Sequence, residues 1–390
     1  MRRIAAGAAV TLALTGLILY GGPFRIAGKA LSSLFGMGDN TAKPVEVFRD
    51  SGTQEVTNGA DPYPSLEELH RRWAASKPER SLVVIGNSQT FSVILAPGEI
   101  PPASPVKTYV DRIAEISATA GGPAVYRLSA PNLSYLEALW YVTFLTTVSD
   151  LKPSEIVLQL NYESLRKTGI RDGMLGLLRD PKFARVVQEA AGSASSYGAP
   201  FGQAMKRYKE TRRKAESQQD GRAERSGHSA LPLGAQMEAV VRRVLESNGI
   251  QAKKHEAKGD FLSLLYLLRV YFLRITPTTP RPLSGAAYEA SVSALNAIAE
   301  RCRDNGVYLA LFLAPQNPTA RLWQTEEDRE RYRGAAQGLA ARYGLKLVDL
   351  ENSIPRDQWG VWIDGPDPIH FGLRGHVQMA DVMMKTGLFY

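Results

Sequence analysis

Ser81-Leu82-Val83-Val84-Ile85-Gly86-Asn87-Ser88-Gln89 joins a short apolar run to a turn. A half-exposed strand or an amphipathic helix would interleave polar positions; an unbroken apolar run ending in a glycine turn is the pattern of a strand buried on both faces. Comparable runs recur at Ala124–Leu128, Glu155–Leu160, Val307–Ala314 and Leu345–Leu350. Helical stretches alternate with them at Lys107–Ala118, Tyr135–Val148, Tyr288–Asn305 and Glu326–Tyr343. Strands separated by helices of this length join through right-handed crossovers, so the sequence predicts an α/β fold whose parallel sheet is covered on both faces. Ligands of such sheets bind beyond the carboxyl ends of the strands, and functional side chains are expected there.

Taken in order, the strand ends carry chemistry. The first run leads to Ser88, the second to Ser129-Ala130-Pro131-Asn132, and the third ends Gln159-Leu160-Asn161-Tyr162. Near the C-terminus stands Asp364-Gly365-Pro366-Asp367-Pro368-Ile369-His370, with His376 shortly after. A serine hydroxyl is a weak nucleophile until a base takes its proton, and an imidazole base needs a carboxylate to hold its tautomer. Asp367 and His370, three apart in a proline-containing loop, can make that contact, and Ser88 supplies the nucleophile. Singly, each residue has a plainer reading: an Asn-Ser after a strand is commonly a turn or cap, and Asn161 alone would be a cap. Their joint placement at successive strand ends gives them weight. Asp364 is an alternative partner for His370, and Asp364, Asp367 and His370 are also of metal-ligand type. No metal or cofactor is assigned. His376 is expected to cap or pack against the last helix, and His70, His228 and His255 to be solvated.

With these residues in place, the sequence resembles the SGNH (GDSL-like) hydrolase superfamily. The resemblance implies a three-layer α/β/α sandwich with a five-stranded, flavodoxin-like sheet. It covers roughly 81–165 and 307–384. Gly86-Asn87-Ser88 matches the nucleophile block, Asn161 the oxyanion-hole asparagine, and Asp367 with His370 the closing pair. Two departures stand out. The family's second block offers a glycine N–H to the oxyanion, whereas Pro131 has none, so either Ala130 or Asn132 substitutes or that donor is absent. The third block, usually Gly-x-Asn-Asp, keeps only Asn161.

The N-terminus bears on location. Arg2 and Arg3 precede an uncharged stretch, Ile4 to Phe24. About twenty residues span the roughly 30 Å hydrocarbon core, and the arginines favour the cytoplasmic side. Residues 1–37 are therefore expected to be an anchor, cleaved signal being the alternative, and 38–78 a tether with a lead-in helix. The SGNH-like domain is expected at 79–180 and 285–390. Between them, 181–284 breaks the strand–helix rhythm as a mainly helical insertion. It holds Phe261–Ile275, apolar almost all round, and the basic run Lys206–Arg225, eight basic residues against four acids, which is half of the net charge of +8. No recognition helix or aromatic-rich signature accompanies that charge, so nucleic acid is not the expected partner. The one cysteine, Cys302, excludes an internal disulfide and every multi-cysteine metal site.

An anchor followed by such a domain most resembles the branch containing D-alanyl transfer proteins and alginate-type O-acetyltransferases. That resemblance implies a single-pass inner-membrane protein with a periplasmic domain, transferring an acyl group through an acyl-serine to a polysaccharide acceptor. An integral-membrane O-acyltransferase is the implied partner. An esterase or deacetylase of the same fold, or a non-catalytic accessory protein, is the alternative.

Overall fold

The structure, a computed structural model, describes residues 66–100, 106–148, 152–223, 282–283, 285–320, 324–362 and 365–389. The expected anchor, most of the tether and Phe261–Ile275 lie outside the described residues. Among the described residues no helix is long and apolar enough to cross a membrane.

Five strands, β1 (Ser81–Gly86), β2 (Ala124–Ser129), β3 (Glu155–Leu160), β4 (Tyr308–Leu313) and β5 (Lys346–Asp349), form one sheet in the order β2-β1-β3-β4-β5. Every pairing is parallel. The chain leaves β1 toward β2 on one side and returns to β3 on the other, so β1 and β3 flank the switch point where such sheets open a crevice. Ile85 lies opposite Leu158 in the register, and Gly86 opposite Ser129. Ser88 and Asn161 follow shortly after the ends of these two paired strands.

Because successive strand residues face opposite sides, the runs split between two cores. Val83, Ile85, Leu158 and Leu311 join one, and Leu82, Val84, Val157 and Phe312 the other. The first core is covered by α3 (Tyr135–Thr147), α6 (Gly285–Asp304) and α7 (Glu326–Tyr343), with Leu69 of α1 (Leu66–Ser76) at its margin. The second lies under α2 (Tyr109–Thr119) and α8 (Leu373–Lys385). That is the three-layer α/β/α sandwich.

Helix α3 is buried almost all round because α4 (Pro181–Ala191) and α5 (Gly198–Ala223) lie on its outer side. Trp140 meets the Phe183 and Phe201 rings edge-on at 5.2 and 5.1 Å. Phe183, Val187, Phe201 and Ala204 belong to the first core. The beginning of the 181–284 region thus shares the core of the sheet domain, and α5 continues through the Ser217–Asp220 stretch.

One element departs from the sequence reading. Asp367 and His370 do not sit in a loop; they lie on β7 (Gly365–Phe371), which pairs antiparallel with β6 (Trp359–Trp362). Pro366 and Pro368 argue against a strand, yet a two-stranded hairpin tolerates them where their missing N–H faces away from the partner.

Candidate active site

The turn after β1, which carries Ser88, begins at a close approach. A Cβ on Gly86 would sit 2.3 Å from Thr90 Cγ2 and 2.6 Å from Gln159 Oε1, so only glycine fits between β1 and β3 here. Asn87 then caps a single 3₁₀ turn, Ser88–Thr90, its Oδ1 accepting the Gln89 N–H at 3.0 Å. Thr90 Oγ1 donates to the Asn87 carbonyl at 2.7 Å. Ser88 is left pointing past the end of the sheet.

His370 Nε2 lies 2.8 Å from Ser88 Oγ, and His370 Nδ1 lies 3.0 Å from Asp367 Oδ2. Asp367 is 2% exposed. Burial pushes its carboxyl up, but the His370 imidazole and the N–H groups of His370 and Ile369 outweigh that and hold it below the usual carboxylate range. Those N–H groups reach Oδ1 at 2.8 and 2.7 Å. An ionised Asp367 accepts the Nδ1 proton, which leaves Nε2 free to accept the proton of Ser88. The His370 side chain keeps 19% exposure, so the Ser88–His370 pair is reachable from outside. Asp364 lies outside the described residues; Asp367 fills the role for which both were candidates.

Buried amides tie the two halves together. Gln159 Oε1 accepts the Asn87 N–H at 2.8 Å, and its Nε2 donates to Gln89 Oε1 at 2.7 Å. Gln89 Nε2 donates in turn to the Ile369 carbonyl at 2.5 Å and the Pro315 carbonyl at 2.8 Å. The oxygen and nitrogen of both amides each take part in at least one hydrogen bond, which fixes both amide orientations. Fully buried Asn317, just past β4, donates from Nδ2 to the Asp367 carbonyl at 2.9 Å, and its N–H reaches Pro368 O at 3.3 Å. None of Gln89, Gln159 and Asn317 stands out locally as functional. The available signal was a lone amide in the otherwise apolar Glu155–Leu160 run, since a buried amide must find partners.

The expected oxyanion donors divide. Asn161 caps the 3₁₀ turn Tyr162–Arg166; its Oδ1 accepts from Ser164 N at 3.0 Å and Ser164 Oγ at 3.1 Å. The Tyr135 hydroxyl grips its backbone twice, accepting from Asn161 N at 2.8 Å and donating to Asn161 O at 3.0 Å. With Oδ1 committed, the amide presents Nδ2 as its donor. Ala130 does not serve: it is fully buried and its N–H donates to the Gly86 carbonyl at 3.3 Å. Continuation of the β1–β2 ladder uses up the donor. Exposed Asn132 has φ +53°, in a turn closed by Leu133 N–H to Ala130 O, and no described residue accepts its N–H. The Ser88 N–H is likewise unaccepted among the described residues. The Asn132 turn is braced by Arg171, which donates to the Asn132 carbonyl at 3.3 Å and to both oxygens of buried Glu137 at 2.6 Å.

His376 lies within α8 and is fully buried. It accepts the Tyr109 N–H on Nδ1 at 3.1 Å and donates from Nε2 to Ser92 O at 3.2 Å. Burial drives its pKa down from 6.5 to about 3, so it stays neutral. It joins α2, the Ser92 segment and α8 as a structural group. Glu99 acts similarly, its carboxylate accepting the Leu373 and Arg374 N–H groups at 2.9 Å at the start of α8.

No protein-family model matches this sequence, and no curated protein matches it. Solved structures do. Est24, a carbohydrate acetylesterase from Sinorhizobium meliloti, aligns over 80% of this chain and 100% of its own, at 8% identity and TM-score 0.35. LAE5, an α/β hydrolase enzyme from the metagenome of Lake Arreo, Spain, aligns over 80% and 97%, at 14% identity and TM-score 0.37. A GDSL-like lipase from Bacteroides thetaiotaomicron aligns over 82% and 96%, at 10% identity and TM-score 0.32.

Proposed function

We propose that this chain is a serine-dependent enzyme of SGNH type that cleaves or transfers an ester-linked acyl group. The observation that carries the reading is the continuous Ser88–His370–Asp367 contact, 2.8 Å and then 3.0 Å. His370 Nε2 takes the Ser88 proton as Oγ bonds to the ester carbonyl carbon. The resulting oxyanion is received by the Ser88 N–H, the Asn161 amide and the Asn132 N–H. The ester C–O bond breaks, and the leaving oxygen takes the proton from His370. Water or a sugar hydroxyl then gives its proton to His370, attacks the acyl carbon and releases Ser88, which recovers the proton.

The finer reading is O-acyl, most simply O-acetyl, transfer to a polysaccharide hydroxyl. The N-terminal run behind Arg2 and Arg3 supports an anchored, extracytoplasmic enzyme, and the family resemblance supports an integral-membrane acyl donor protein as its supplier. With 4-nitrophenyl acetate as donor, an oligosaccharide acceptor should raise nitrophenol release and accumulate acetylated sugar. Release that ignores the acceptor would leave a plain esterase; no release above the level of Ser88→Ala would reject both.

A further inference from the structure

The 3₁₀ segment Asp172–Arg179, α4 and α5 enclose a groove of about 630 Å³ whose lining shares no residue with Ser88, His370 or Asp367. The buried members of its lining, Leu178 and Met205, are apolar and form its floor, and Tyr208 is half-buried. Its rim carries four basic side chains, Arg179, Arg185, Lys209 and Arg212, against one acid, Glu189. All four are exposed. Among the described residues Arg179, Arg185 and Lys209 take part in no ion pair. Elsewhere on this molecule exposed arginines do find carboxylates, as in Arg303–Asp304 and Arg374–Asp357.

We propose that this groove binds an acidic polysaccharide, a glycan bearing carboxylates. Three uncompensated cations around a low-dielectric floor repel one another and focus a positive field into the groove, an arrangement that an incoming polyanion relieves. Guanidinium groups from both the α4 side and the segment before it suit carboxylates bidentately, while Lys209 reaches in from α5. The floor and the Tyr208 ring offer an apolar face to the C–H surface of a sugar. A lipid surface fits less well: the exposed large apolar residues among those described are Ile100, Ile116, Tyr308, Val361 and Val377, none of them in the groove. Single-stranded nucleic acid stacks successive bases on successive aromatics, and the groove has one. The choice of a glycan among polyanions rests on the polysaccharide acceptor proposed above; the groove would hold its acidic chain while Ser88 acts on a hydroxyl ester.

The test measures binding of fluorescein-labelled oligogalacturonate to the full chain by anisotropy. The triple variant Arg179→Glu/Arg185→Glu/Lys209→Glu should weaken binding by about tenfold or more, with unchanged thermal midpoint and unchanged hydrolysis of 4-nitrophenyl acetate. Lys206→Glu/Arg213→Glu, which alters bulk charge on the same helix outside the groove, should change it much less. Ser88→Ala should bind as the wild type does, so a failed enzymatic reading and a failed groove give different results. Wild-type protein that ignores oligogalacturonate, a triple variant that binds it equally, or equal loss in the double variant would overturn the proposal. So would oligothymidylate, or vesicles of phosphatidylcholine and phosphatidylglycerol, binding through the same three residues more tightly than the glycan.

Discussion

The turn after β1 and the β6–β7 hairpin carry the two halves of the site, and they are held in opposite ways. The turn is made by near neighbours: Asn87 caps it, Thr90 donates back to Asn87, and Phe91 and Ser92 donate to the Ser88 carbonyl. The hairpin is held from afar, by Gln89 at 280 positions' separation from Ile369 and Asn317 at 50 from Asp367. The orientation of Ser88 is thus set largely within its turn, with Gln159 of β3 taking the Asn87 N–H from outside it, whereas the 2.8 Å between Ser88 and His370 is a tertiary property. Damage to the turn should remove the nucleophile; damage to the amides should leave it in place and misalign its base.

Four substitutions break or sharpen that contrast. Asp367→Asn leaves the hairpin backbone intact but presents an amide where His370 needs a carboxylate, and should lower kcat by about 10⁴-fold in steady-state hydrolysis of an activated ester. Asn161→Ala removes one oxyanion donor and should lower kcat by about 10²–10³-fold with little change in KM. Gln89→Leu keeps the volume but leaves the Ile369 and Pro315 carbonyls without their donor. Sub-ångström to ångström shifts of the base should lower kcat by about 10–10²-fold, with KM held, because misplacement acts on the reacting geometry. His376→Gln should leave activity within about twofold, lower stability at neutral pH and change how stability depends on pH. In the wild type His376 takes up its proton near 3 when folded and near 6.5 when unfolded. The stability it contributes is therefore full above pH 6.5 and is lost as pH falls toward 3. The glutamine variant should flatten the decline of the thermal midpoint over that window, and an unchanged slope would count against the buried neutral imidazole.

Much of the frame is legible in the sequence because a strand buried on both faces leaves a mainly apolar run, as β1 and β4 do and as β3 does apart from Glu155 and Gln159. The capping residues are legible for a related reason: Thr108 with Asp111 and Ser134 with Glu137 satisfy helix N–H groups locally. Asp367 and His370 can be paired from their spacing, but nothing local separates Asp367 from Asp364. The family resemblance selects Asp367, and the hairpin geometry, with Asp367 Oδ1 taking two N–H groups of its own strand, shows how it is held. Ala130 illustrates the opposite limit. Whether its N–H is free depends on the β1–β2 register, and that register spends it on Gly86. The Gln89–Gln159 pair is hidden for the same reason, since two amides on different strands have no shared pattern along the chain. Asn87 and Asn161 are instructive in another way: both are the caps that the plainer reading expects, and in both cases capping by Oδ1 fixes the geometry of a neighbouring functional group.

The central claim, that Ser88 is a nucleophile activated by His370, is tested most directly by intact-mass measurement after incubation with a serine-directed fluorophosphonate. The account predicts a single adduct on the wild-type chain, mapped to Ser88, and none on Ser88→Ala or His370→Ala under the same exposure. A folded wild-type protein that takes up no label, or a label that persists in Ser88→Ala, would contradict it.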